Sequence, residues 1–150
     1  NTANADSLRR IFGKTKAEVW GGGPFCIASD LKEWRRNVEA WARESWVADY
    51  PEELAMWMNA LPIMELANGD YLGLDLRSGC DNPPVLYLSH DDNSQILSTC
   101  FTDFLTHWAG VCYVGPEIWM LEPFLSTENL LDSTMANALE LKILCEGRSA

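Results

Sequence analysis

The chain has 150 residues, 47% of them apolar and seven of them Trp, so it can bury the core of one domain and is not a disordered segment. Its net charge of −11 disfavours nucleic acid, whose phosphates attract Lys and Arg, and anionic membrane surfaces as well. Five cysteines with no C-x-x-C pair argue against a disulfide framework and for reduced thiols in a cytoplasmic protein.

In chain order, a short helix is predicted over residues 6–12, capped by Asp6 and stopped by Gly13. Val19-Trp20 and residues 25–28 read as two strands joined by Gly21-Gly22-Gly23-Pro24. That glycine run is a turn and not a phosphate loop, because it lacks G-x-x-x-x-G-K-[ST] and Pro24 removes an amide. Asp30 and Glu33 form a capping-box pattern for a helix to about Ser45, with Leu31, Trp34, Val38 and Trp41 inward. Lys32, Arg36 and Arg43 lie off that stripe and are expected in solvent. Tryptophans seven apart mark a buried stripe, which is favoured over a stacking surface for single-stranded nucleic acid. A further helix is capped by Asp49 and Glu52, has Pro51 in its first turn, and runs to about Met58. Leu54, Trp57 and Met58 face inward from it, and Pro62 ends the connection that follows.

The most ordered signal lies between Asn68 and Trp119: NGDYLGLDL, VLYLSHDD, FTDFLTHW, then GPEIW. Asn68 and Gly69 both tolerate positive φ, so residues 64–67 and 71–76 are predicted to pair as a hairpin about them. Leu72, Leu74 and Leu76 alternate on one face, with Tyr71, Gly73 and Asp75 on the other. Residues 85–88 are apolar on both faces and read as an inner strand of the same sheet. Phe101, Phe104, Leu105 and Trp108 form the stripe of an amphipathic helix. With Trp34 and Trp41 they are the expected core. Gly110 stops that helix, residues 111–114 suggest a short strand, and Gly115-Pro116 a turn. A last helix starts at Asp132, carries Ala136, Leu139, Leu141, Ile143 and Leu144, and stops at Gly147. With no repeats or linkers, residues 1–150 read as a single α+β domain, a twisted mixed or mainly antiparallel sheet packed by helices. The chain opens on Asn1 and not Met, so its N-terminal part is open to extension.

The ordered run from NGD through YLSHDD and F-x-D-F-L-x-x-W to GPE-x-W resembles the SMI1/KNR4 family of the SUKH superfamily. That resemblance implies an α+β fold. In bacteria it implies an immunity protein that neutralises a polymorphic toxin, often a nuclease. In fungi it implies a regulatory scaffold of cell-wall signalling. It carries no catalytic residue and no cofactor.

Charge adds an independent expectation. Residues 1–67 hold 8 Lys and Arg against 10 Asp and Glu, while residues 68–146 hold two bases against 12 acids. The acidic half would steer a basic partner, such as a toxin domain whose phosphate-binding channel it covers. Asp70, Asp75, Asp81, Asp91, Asp92 and Glu117 are the candidate contact residues. Chemical alternatives are weaker. His90, Asp91 and Asp92 could hold a metal or act as acid and base, with Asp70 or Asp75 joining from the hairpin. Neighbours on an extended segment point to opposite sides, however, so a solvated turn is favoured. A Cys–His nucleophile would need Cys100 or Cys112 beside His90 or His107, and no signature surrounds them. Cys26, Cys100 and Cys112 are expected to pack, and Cys80 to be exposed. His107 is expected at the surface, and Trp119 at one edge of the core. A non-enzymatic binding protein is therefore the expected function, with a regulatory scaffold or a hydrolase as the alternatives.

Overall fold

The computed structural model describes residues 2–13 and 25–147, with side chains from Asp6 onward in the first segment. In chain order the elements are α1 (Thr2–Phe12), α2 (Leu31–Glu44), α3 (Pro51–Asn59), β1 (Ala60–Glu65), β2 (Tyr71–Asp75), β3 (Val85–Leu88), β4 (Gln95–Ser98), α4 (Phe101–Gly110), α5 (Ile118–Leu121) and α6 (Ala136–Cys145). Short 3-10 turns lie at Trp46–Asp49, Leu76–Ser78 and Glu122–Phe124. The fold is α+β. Its sheet has the order β1-β2-β3-β4 with every pair antiparallel. The chain groups into two compact units, one of residues Gly23–Phe101 and one of Asn1–Gly22 with Thr102–Ala150. The predicted strand at Val19-Trp20 and the Gly21–Pro24 turn lie outside the described residues.

The first unit is the sheet with α2 and α3. The expected hairpin is present, in the register Leu61↔Leu74 and Glu65↔Tyr71. Its turn differs from the two-residue form. Leu66 N donates to Asp70 O and Gly69 N to Leu66 O, leaving a three-residue loop in which Gly69 takes φ +93. Asn68 is not left-handed, because the positive φ falls only on the glycine that closes the loop. β1 starts earlier than expected and includes Pro62, which an edge strand tolerates because its missing N–H can face away from the ladder. β3 is the inner strand expected, buried along its length. The sequence reading overlooked β4, a four-residue edge strand whose ladder comes entirely from β3.

The sheet buries both faces, since Leu72 is fully enclosed opposite the Tyr71–Gly73 side. On that side Val38 and Ala42 of α2, Val47 and Trp57 pack with Ala60, Leu86 and Leu88. Trp41 and Trp57 lie 4.4 Å apart, and Trp57 meets Tyr71 edge-on at 6.3 Å. Gly73 admits this closeness: a Cβ there would stand 3.1 Å from the Ala60 Cβ. Trp34 and Trp41 are half-buried, while Lys32, Arg36 and Arg43 are in solvent as expected. The capping box does not form. Asp30 is the N-cap of α2, but its carboxylate accepts from Ser29 Oγ instead of a helix amide. In α3, Tyr50 is the N-cap, Pro51 opens the first turn, and Asp49 belongs to the preceding 3-10 turn. Residues 25–28 form no strand; Phe25 makes a single bridge to Met64.

In the second unit, α1 begins at Thr2, earlier than Asp6, and Gly13 ends it with φ +62. Phe12 packs edge-on against Phe124 at 5.7 Å, and Arg10 pairs with Glu140 of α6. Along α4, Trp108 stacks on Phe104 at 5.5 Å and donates its indole N–H to Val114 O. Phe104 and Trp108 are buried, Phe101 is half-buried, and Leu105 is exposed, against expectation, at the edge of the stripe. The strand expected at 111–114 is a turn, with Cys112 and Tyr113 at φ 57 and 55. A four-residue apolar run does not by itself distinguish the two. Gly110 is required sterically, since a Cβ there would meet the Ser133 Cβ at 2.4 Å. Asp132 organises the turn ahead of α6 by accepting from Thr134, and Met135 is the helix N-cap.

Candidate binding surface

The β2–β3 register builds the site. Tyr71 pairs with Leu88, so Asp70, one residue before β2, lies beside Ser89 and His90, which follow β3. Asp70 Oδ1 accepts from the His90 backbone at 2.9 Å and faces His90 Nδ1 at 2.7 Å. Its Oδ2 accepts from Asn68 Nδ2 at 2.6 Å and from the Tyr87 hydroxyl. Burial pushes the Asp70 carboxyl upward, but the donors Tyr87, His90 and Asn68 outweigh it and leave the group below its ordinary value. Asp70 is therefore ionised, and His90 Nδ1 carries the proton it shares with the carboxylate.

The loop after β3 is anchored from below. Trp57 Nε1 donates to Ser94 Oγ at 3.1 Å, and Ser94 Oγ also accepts from Ser89 N. Ser94 N donates to Glu53 Oε1 at 3.0 Å, and Trp46 Nε1 donates to His90 O at 2.7 Å. Ser89 Oγ receives the Asp92 amide and donates to Asp91 Oδ1 at 3.4 Å. Asp91 and Asp92 thus stand exposed on a loop whose backbone is tied to the core.

The six candidate contact residues separate on burial. Asp81, Asp91 and Asp92 are exposed. Asp70 retains 2% of its surface and Asp75 5%, so neither carboxylate is open to a partner. Asp75 is held by Arg77, whose Nε and Nη2 donate at 2.8 and 2.6 Å. That hydrogen-bonded guanidinium keeps the Asp75 carboxyl below its usual range despite burial. Glu117, in the second unit, is buried and accepts from Trp119 Nε1 at 2.7 Å. In all three the carboxylate is consumed by a neighbour, two residues along the chain for Asp75 and Glu117 and across the β2–β3 pair for Asp70.

The chemical alternatives can be placed as well. Asp70, His90 and Asp91 bring one ligand atom each within 4.8 Å of one another. Both Asp70 oxygens already accept hydrogen bonds, however, and His90 Nδ1 is turned to Asp70, which fits an oriented imidazole better than a metal ligand set. His90 Nε2 faces Asp91 Oδ2 at 3.9 Å. His107 is half-buried, and its Nδ1 bonds Ser133 instead of Cys112. Burial, then the neighbouring Cys145, pushes the Cys112 thiol up to about 12, which removes its thiolate at neutral pH. Cys26, Cys100 and Cys112 are half-buried, and Cys80 and Cys145 exposed.

Two groups the sequence reading passed over shape the same surface. Trp46 and Tyr50 meet edge-on at 5.5 Å, and Tyr50 is 57% exposed. Their spacing of four residues, just ahead of Pro51, was the available signal. Beside them a hollow of about 400 Å³ is lined by Trp46, Tyr50, His90, Asp91, Asp92 and Asn93.

Such a molecule is an acidic α+β protein with a four-stranded antiparallel sheet, an internally satisfied Asp–His pair, and a carboxylate-bearing loop above it. A family model described as SMI1-KNR4 cell-wall, of the SUKH group, matches residues 9–105. The chain belongs to this family. The matched span contains the hairpin, the inner strand and the acidic loop, and it reaches back through α2 and α3, where the motifs were faint; it stops short of GPEIW. Neither a curated protein nor a solved structure matches the chain significantly. Members of the family are generally non-catalytic. Among the described residues, no helix is long and apolar enough to cross a membrane.

The lowered Asp70 and Asp75 carboxyls make a pH prediction. A depressed folded value means the unfolded chain binds more protons, so stability is present above the unfolded carboxylate value near about 4 and is lost as pH falls through the folded ones. Asp75→Asn should flatten that acid limb. Urea midpoints above and below about pH 4 check it, and an unchanged slope in the variant would contradict the assignment.

Proposed function

We propose that this protein is a non-enzymatic binding domain of the immunity type, which neutralises a basic toxin domain in the cytoplasm. The observation that carries this reading is the exposure of Asp91 and Asp92 on a loop tied down by Trp57, Ser94, Trp46 and the Asp70–His90 pair. A preordered loop loses little entropy on docking, and paired carboxylates present the charge that a phosphate-binding channel accepts. Free cysteines fit a reducing compartment. The toxin is expected from the gene adjacent to this one. Its purified domain should form a complex with this protein and lose its activity in that complex. If that domain retains full activity in excess of this protein, the immunity reading fails.

The family's cell-wall description favours a second reading, a regulatory scaffold. In that case the neighbouring genes encode no toxin, and deletion alters wall integrity instead of toxin survival. Either way the isolated protein should lack hydrolytic activity, and hydrolysis abolished by His90→Ala would overturn both.

A further inference from the structure

The chain's one Asn-Gly pair, Asn68-Gly69, lies against the Asp70–His90 site and carries a chemistry of its own. A backbone nitrogen that follows asparagine can attack the side-chain carbonyl carbon, and glycine eases the attack because it has no Cβ to hinder it. The new C–N bond closes a cyclic imide, the bond to the side-chain nitrogen breaks, and ammonia leaves. Water then opens the imide to aspartate or isoaspartate. Asn68 is exposed, so water reaches it.

The closed turn engages every group this reaction needs. Gly69 N, the attacking atom, donates to Leu66 O at 3.0 Å. Asn68 Nδ2, the leaving group, donates to Asp70 Oδ2 at 2.6 Å and to the Tyr87 hydroxyl at 3.4 Å. Asn68 Oδ1 accepts from Asp70 N at 3.1 Å, which fixes the side-chain torsion. Attack therefore requires the turn to open first.

The product does not fit its surroundings. The nitrogen that Asn68 presents to Asp70 Oδ2 becomes an oxygen, and Asp70 is buried and ionised. Two carboxylates in contact cannot both keep their charge, so one takes up a proton or the pair separates. Isoaspartate also lengthens the backbone of a three-residue loop. Either product draws Asp70 off the His90 amide and ring, the bonds that tie the β3–β4 loop to the hairpin.

We propose that Asn68 is a site of spontaneous deamidation, suppressed while the turn is closed, and that its conversion unlocks the Asp70–His90 pair and frees the acidic loop from the hairpin. The inference does not depend on the identity of any partner.

The test has two arms. In the first, native protein and protein unfolded in guanidinium chloride are held at alkaline pH, and peptide mapping by mass follows conversion at Asn68. Conversion should be about tenfold or more slower in the native protein. Equal rates, or a faster native rate, would overturn the suppression. In the second arm, Asn68→Asp stands for the converted form. It should exchange the His90 amide about tenfold faster than the parent and unfold at a lower denaturant midpoint. Asn68→Ala loses the same donor without adding charge, so its midpoint should lie between the two. The gap between Asn68→Asp and Asn68→Ala should narrow as pH falls toward the ordinary carboxylate range near about 4, because protonation removes the repulsion. Parental His90 exchange in Asn68→Asp, or a midpoint no lower than that of Asn68→Ala at neutral pH, would overturn the unlocking.

Discussion

Replacing Trp57 by Ala is expected to lower the unfolding free energy by about 3–5 kcal/mol, a large share of what a domain of this size holds. Trp57 is 1% exposed and touches both layers of its unit, Trp41 on α2 and Tyr71 on β2. Its indole also anchors Ser94, so the loop bearing Asp91 and Asp92 should loosen with the core. Trp57→Phe separates the two effects: it keeps most of the ring and gives up the bond, at about 1 kcal/mol. Denaturant midpoints report the first effect, and amide exchange at Asn93 and Ser94 the second. An unchanged midpoint in Trp57→Ala would refute the core assignment.

Trp108→Ala should cost a similar amount, about 3–5 kcal/mol, in the other unit. Trp108 is buried, stacked on Phe104, crossed by Tyr113 at 5.4 Å, and bonded through Nε1 to Val114 O. Removing it opens a cavity and takes away the indole bond to Val114 O, which follows the left-handed residues Cys112 and Tyr113. Thermal unfolding checks it, and an unaltered transition would contradict the packing described.

These two tryptophans were legible because burial at helical spacing leaves a mark in the sequence. The hairpin was legible for a similar reason: Asn68-Gly69 announces a turn, and alternating leucines announce a strand. The turn type was not, since a glycine at positive φ serves both a two-residue and a three-residue loop, and only the pairing of Leu66 with Asp70 selects between them. β4 was missed because four residues, of which Ile96 is exposed and Leu97 buried, carry too little pattern. The candidate surface was half legible. Asp91 and Asp92 follow a buried strand in a run that reads as a solvated turn, and they are exposed. Asp70 looks equally solvated in sequence, yet Tyr87 and His90, seventeen and twenty residues away, take up its oxygens. Contacts across a sheet leave no local signature, and the same holds for Glu53 and Ser94, forty-one residues apart. The Trp46–Tyr50 wall was overlooked because two aromatics four apart ordinarily signal core.

The proposed binding role is tested most directly by the association rate between this protein and the basic toxin domain that the immunity reading expects from the adjacent gene, at low and high salt. The Asp91→Asn, Asp92→Asn double variant should fold as the parent does, since exposed loop charges contribute little to stability. It should associate more slowly than the parent at low salt, and its rate should depend less steeply on salt, because steering by those carboxylates is lost. An association rate and salt dependence identical to the parent's would take Asp91 and Asp92 out of the interface and contradict the acidic loop as the docking surface.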